Sequence, residues 1–329
     1  MRRFALALLA GLLPGLASSP AGATWPDRPV VIVTGYSPGG STDIAARILA
    51  DRMPAHLGAE ARMLVENRPG AAGVVATEWL KRQAGDGYTL MVQEPGAGVA
   101  APAALVGGTR YDSVADFTHL GLISVPPSVL IVTNRFPGAN ASAVLAELRR
   151  APPESLTYAT SGVGGVLHLQ SELLAQLLGT RFVHVPYRSG AQMLQAIHTG
   201  EAQFGIAAMA SAAQMLKDNM VRGVAVLGPQ RFPVFPDLPP MGELGVQGVD
   251  LPTWFMLIAP AGVPSAVAQQ LNRALLATLA EPAVRERMIQ AGHLPPDGAN
   301  TLAGARAFMQ RDQALYRDIV ARTGVRLEP

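Results

Sequence analysis

The nine residues Gly35-Tyr36-Ser37-Pro38-Gly39-Gly40-Ser41-Thr42-Asp43 gather small, hydroxylated and conformationally free side chains at one point of the chain. Gly39 and Gly40 permit close approach to the backbone, Ser41 or Thr42 can cap a following helix, and Asp43 falls in its first turn. Unpaired amides at such a helix start point outward and attract an anion, for about 0.3 to 1 kcal/mol and up to about 2 kcal/mol when partly buried. An ordinary capped helix would carry the same residues, so both readings stay open here. A catalytic reading also fits formally, because Gly35-Tyr36-Ser37-Pro38-Gly39 matches the Gly-x-Ser-x-Gly turn of serine hydrolases. In that turn the residue after the serine donates its amide to the oxyanion, and Pro38 has no amide hydrogen. Losing one such donor costs on the order of 3 kcal/mol of transition-state stabilisation, so the chain is not expected to be an enzyme. A nucleotide phosphate loop fits less well, since no lysine follows the glycines.

A second segment, Tyr158 to His168, has the same design. Ser161 offers a hydroxyl, and Gly162, Gly164 and Gly165 expose amides at the next helix start. The dinucleotide fingerprint fails because its third glycine is missing. His168 stands one turn beyond the loop, as a ligand contact or as a helix-surface residue. The third segment is His184-Val185-Pro186-Tyr187-Arg188-Ser189-Gly190. Tyr187 closes over a ligand or packs between domains, and Arg188 pairs a carboxylate or is a solvated surface charge. With no cysteine and six histidines that lack metal spacing, neither a zinc site nor a cofactor is expected.

Each segment lies between a strand and a helix. The β-branched run Val30 to Thr34 reads as a strand buried on both faces, and Ile44, Ile48 and Leu49 recur at helical spacing. Met63 to Val65 and Tyr88 to Val92 continue as strands around a helix from Val74 to Arg82. A second series starts near His119 and runs to Val224-Ala225-Val226-Leu227, where the proline cluster Pro229 to Pro240 interrupts regular structure. Alternation of this kind predicts α/β architecture with mostly parallel sheets, whose ligands bind beyond the carboxyl ends of the strands. The tail past residue 250 holds too little sheet for its own domain and is expected to pack back on the first. The expected division is residues 24–118 with 241–329 as one lobe and 119–240 as the other.

At the N-terminus, Arg2 and Arg3, the apolar run Phe4 to Leu13 and Ala21-Gly22-Ala23 read as an export signal, residues 1–23, cleaved near Ala23. Pro14 breaks the run and a bilayer span takes about 20 residues, so direct membrane insertion is not expected. Arg2 and Arg3 account for the whole formal charge of +2, which leaves no basic surface to hold nucleic acid. Hydrophobic residues at 49% support a large core, and a chain of this length is expected to divide into two domains. Nothing in the sequence requires more than a monomer.

Six segments in series resemble the Bug family of periplasmic solute receptors associated with tripartite tricarboxylate transport. They are Trp25 to Pro29, Tyr36 to Asp43, Val65 to Gly73, Asp86 to Leu90, Val185 to Arg188 and Ala259 to Pro264, and together they span the mature chain. The resemblance implies a two-lobed, type II periplasmic-binding-protein fold holding a small carboxylate-bearing ligand in the cleft, for delivery to an inner-membrane permease or a sensor. It places the grip on Tyr36, Ser37, Gly39, Gly40, Ser41, Thr42 and Asp43, opposed by Ser161, Gly162, Gly164 and Gly165, with Tyr187 beside them. Three features depart from the family pattern. Gly165 stands where many members have serine, Gln203 and Met256 where aspartate and glycine are common, and Gln93-Glu94-Pro95 replaces a small polar run. An inward Glu94, unless protonated or paired, repels a second ligand carboxylate.

Overall fold

A computed structural model describes residues 25–327 except 297 and 299, so the expected export signal lies outside the described residues. The first lobe is built from β1 (Val30–Thr34), α1 (Ser41–Arg52), β2 (Met63–Asn67), α2 (Val74–Lys81) and β3 (Thr89–Gln93). A π-helical turn, Gly96–Ala100, then runs into α3 (Ala101–Ala104), followed by β4 (Phe117–Ser124). Next come β5 (Ser128–Val132), α4 (Ala141–Arg150), β6 (Thr157–Thr160), α5 (Val166–Leu178) and β7 (Val183–Pro186). The second lobe closes with α6 (Gly190–Thr199), β8 (Phe204–Ala208), α7 (Met209–Lys217) and β9 (Arg222–Leu227). The chain returns to the first lobe as β10 (Phe255–Pro260), α8 (Ser265–Ala280), α9 (Pro282–Gln290) and α10 (Leu302–Thr323).

Two five-stranded sheets result, ordered β2-β1-β3-β10-β4 and β7-β6-β8-β5-β9. Within each, one strand is reversed: β10 is antiparallel to β3 and β4, and β5 is antiparallel to β8 and β9. The reversed strand is in both cases the one that has just arrived from the other lobe. It enters at the cleft and runs away from it, whereas the remaining strands run toward the cleft and deliver their following loops there.

One expected boundary moves. β4 was assigned by its sequence to the second lobe from residue 119 onward, yet it hydrogen-bonds along β10 in the first sheet. The crossing is the short stretch 125–127, with Pro126 and Pro127, which cannot extend a ladder. On the return, Val226 still pairs with Pro240, and Gln170 of α5 donates to the Val249 carbonyl at 3.0 Å. The second lobe therefore holds the chain past residue 240.

The core follows the layers. Val30, Ile32, Leu90 and Leu257 pack with Ile48 and Leu49 of α1 and Leu271 and Leu275 of α8 on one face of the first sheet. Met193, Leu194 and Ala212 cover one face of the second sheet. A third cluster joins both lobes, running from Met91 and Trp254 through Ala100 and Tyr316 to Leu169, Tyr158 and Phe204.

Candidate functional site

The loop after β1 is held from behind by Asp43. The Gly39 amide donates to Asp43 Oδ2 at 2.9 Å, Arg47 Nε donates to the same oxygen at 2.8 Å, and Asn67 Nδ2 reaches Oδ1 at 2.9 Å. Asn67 also lies 3.0 Å from the Tyr36 carbonyl and 2.8 Å from Thr34 Oγ1. Burial alone would raise the Asp43 carboxyl, but the bonds from Arg47, Gly39 and Asn67 outweigh it and hold the group below its ordinary range. Asp43 thus shapes the loop from the inside. It does not line the cleft, and the Gly39 amide, already engaged, is not open to a ligand, contrary to the sequence expectation for both.

The loop after β6 repeats this backbone in the second lobe. Gly39 and Gly164 sit at φ +84° and +82°, in the left-handed region that suits glycine. Gly40 and Gly165 follow as extended N-cap residues, at φ −79°, ψ 168° and φ −78°, ψ 165°, and neither helix start has a side-chain cap. By contrast α4, α6 and α10 are capped by the side chains of Asn140, Ser189 and Thr301. Glycine at the N-cap of α1 and α5 therefore leaves amides uncovered. The amides of Gly40, Gly165, Val166 and Leu167 have no hydrogen-bond acceptor among the described residues.

These amides border a cavity of about 40 Å³ between the lobes, room for roughly three waters at ~10–15 Å³ each. Four helices begin on its wall: α1 at Gly40 and Ser41, α5 at Gly165 to Leu167, α6 at Gly190, and α7 at Ala208 with Ser211 in its first turn. Each start directs roughly half a positive charge toward the cavity, and no lysine, arginine or histidine lines it among the described residues. Ser41 donates its amide across the cleft to Ser211 Oγ at 3.2 Å. The body of the cavity is apolar, formed by Met193, Ala207, Trp254 and Phe255 among others. Glu94 is the acidic exception. It accepts from Tyr36 Oη at 2.9 Å, the Gly96 amide at 2.7 Å and the Ala97 amide at 3.1 Å, and so caps the helix that leads into α3. Burial raises its carboxyl above the ordinary value, against the lowering effect of those donors.

Of the residues singled out by sequence, Tyr36, Gly40, Ser41, Ser161 and Gly165 line the cavity. The rest stand elsewhere. Ser37 lies outside the lining and is bonded to no histidine among the described residues, and the Thr42 side chain is buried behind the loop with its hydroxyl unpaired. Gly162 faces the first lobe, where an added Cβ would stand 3.0 Å from the Ala72 amide, and Gly164 faces Leu105. Tyr187 is turned away on the second lobe, its hydroxyl donating to Glu201 at 2.8 Å, and Arg188 is exposed. His168 is buried behind the second loop, accepting from the Gly164 amide at 3.4 Å and stacking on His184 at 3.9 Å. Burial, reinforced by His184, pulls its pKa down to about 3, so the ring stays neutral and free to accept. Sequence reasoning missed Ser211 and all of α7, although Ala208 to Lys217 is rich in alanine, methionine and leucine, the strong helix formers.

Known proteins share this architecture. The chain is 28% identical to the protein BugT of Bordetella pertussis over 314 residues, 95% of each sequence. Its fold superposes on the periplasmic binding protein BugD with a TM-score of 0.87 at 28% identity, over 93% of this chain and all of that one. It also superposes on MatC of Rhodopseudomonas palustris, solved with bound malate, with a TM-score of 0.85 at 29% identity, over 90% of this chain and all of that one. The tripartite tricarboxylate transporter family receptor, TctC, matches residues 45–323, and the chain belongs to that family of solute-binding receptors.

Proposed function

We propose that this receptor is exported with loss of residues 1–23 and works in the periplasm as a monomer, without catalysing a reaction. It closes two lobes over a small organic acid and presents the closed form to an inner-membrane permease or a sensor protein. The observation that carries this reading is the set of uncovered amides at the starts of α1 and α5, facing each other over one cavity with no acceptor of their own. A carboxylate is the guest that satisfies them. The hydroxyls of Ser41, Ser161 and Ser211 add donors, and closure strengthens every contact by excluding water. The malate bound to MatC supports an acid as the guest. Catalysis at Ser37 has no support, since Pro38 lacks the amide such a turn requires.

A thermal-shift screen of organic acids on the mature protein tests this directly. An acid at about 100 times its dissociation constant should stabilise the fold by about 2.7 kcal/mol. A panel in which neutral solutes raise the melting temperature and no carboxylate does would overturn the reading.

A further inference from the structure

We propose that the receptor accepts acids with a single carboxylate and that Glu94 is the residue that excludes a second. The inference rests on the organic-acid reading above and narrows its ligand class. Three observations carry it. First, the amides and hydroxyls that can hold an anion come from Gly40, Ser161, Gly165 and Ser211, while the side chains of Val166, Leu167, Met193, Ala207, Ala208 and Phe255 make much of the remaining wall apolar. Second, among the described residues no cationic side chain lines the cavity to receive another negative charge. Third, Glu94 borders the same space and cannot swing aside. Its two oxygens are fixed by the Tyr36 hydroxyl at 2.9 Å and by the amides of Gly96 and Ala97 at 2.7 and 3.1 Å. Each oxygen accepts a peptide amide, Oε2 from Gly96 and Oε1 from Ala97, and these donors favour the ionised form against the burial that raises this carboxyl.

The first carboxylate tolerates this neighbour because Glu94 caps a helix of its own, leaving the uncovered starts of α1 and α5 for the guest. A second carboxylate has no such partner. In a cavity of about 40 Å³ it must lie near Glu94. At ~6 Å and an effective dielectric of ~20, repulsion between two such charges weakens binding by roughly a hundredfold.

The test measures dissociation constants by calorimetry at neutral pH for matched straight-chain acids of three to six carbons: each monocarboxylate, its dicarboxylate and the monomethyl ester of that dicarboxylate. The expected result is that, in at least one length class, the monocarboxylate and the ester bind roughly a hundredfold more tightly than the dicarboxylate, with a thirtyfold gap as the floor. Glu94→Gln, which keeps an acceptor for Tyr36 and Ala97 but removes the charge, should close the gap to under about fivefold by gaining affinity for the dicarboxylate. Dicarboxylates that bind the unaltered protein as tightly as their monoesters overturn the proposal while leaving the organic-acid reading standing. An unchanged gap in a folded Glu94→Gln protein also overturns the role of Glu94. If no acid of either kind binds, the underlying reading fails and this inference falls with it.

Discussion

Asp43 accepts from Gly39, Arg47 and Asn67 while only 2% of it reaches solvent, so its charge serves the loop and not a guest. Removing the carboxylate takes the acceptor from the Gly39 amide and from Arg47, and one of three from Asn67, so charge-assisted bonds are lost in a part-buried loop. Asp43→Ala should therefore cost about 1 to 3 kcal/mol of unfolding free energy at neutral pH. The pH dependence has a definite sign. The native carboxyl sits below its unfolded value near 3.9, so its stabilisation is complete above that value and disappears as pH falls through the lower, native one. Urea unfolding of both proteins from pH 7 downward should show a gap that is constant to about pH 4 and then closes. A gap absent at neutral pH, or one that persists unchanged into acid, would refute this role. Sequence placed Asp43 in the right loop but on the wrong side of it. Arg47, one helical turn on, was a legible sign of an ion pair, whereas Asn67 approaches only because β2 lies beside β1.

The strand–glycine pair–helix unit occurs twice, and its two glycines do different work. Gly39 requires a left-handed backbone, yet a Cβ there would meet nothing nearer than Ala191 Cβ at 3.9 Å. Gly40 has ordinary extended angles, with a Cβ position 3.6 Å from the Ser37 carbonyl oxygen, and it borders the cavity. Gly39→Ala should thus lose about 1 to 2 kcal/mol of stability from strain while keeping an intact ligand surface. Gly40→Ala should change stability by less than about 0.5 kcal/mol but weaken acid binding by about tenfold or more, as a methyl group enters a small site. Chemical denaturation and calorimetry on the two variants separate the effects, and the reverse assignment would sink this account of the loop. That pairing of loops was legible in the sequence because glycine, serine and a flanking β-branched run leave a strong local mark. The second lobe was less legible. β4 reads as one more strand in a series and only its pairing with β10 fixes its lobe, while Ser211 reaches the cleft on a helix that follows β8 with no residue between them, so no turn signal separates α7 from the strand.

On the scale of the whole molecule, the two lobes share a buried apolar cluster, and glycine stands at several of the contacts between them. Gly165 is the informative one. Its φ of −78° suits any residue, and an added Cβ would stand 3.2 Å from Ala72 Cβ in the opposite lobe. A side chain there strains no backbone, so whatever it changes, it changes through the contact between lobes. Serine at this position asks Ala72 to give by a few tenths of an ångström and adds only a hydroxyl beyond that contact. Leucine does not fit without parting the lobes. Parting them separates the amides of α1 from those of α5 and breaks the bond from the Ser41 amide to Ser211 Oγ, so one carboxylate no longer meets both. Gly165→Leu should keep a cooperative unfolding transition, lose at least about tenfold in affinity for any acid that stabilises the unaltered protein, and fail to compact when that acid is added. Small-angle scattering with and without the acid reads the last point. Gly165→Ser is the control and should still compact. Compaction of the leucine variant to the same radius, with affinity unchanged, would mean that the acid is held by one lobe alone and that the facing helix starts do not act together.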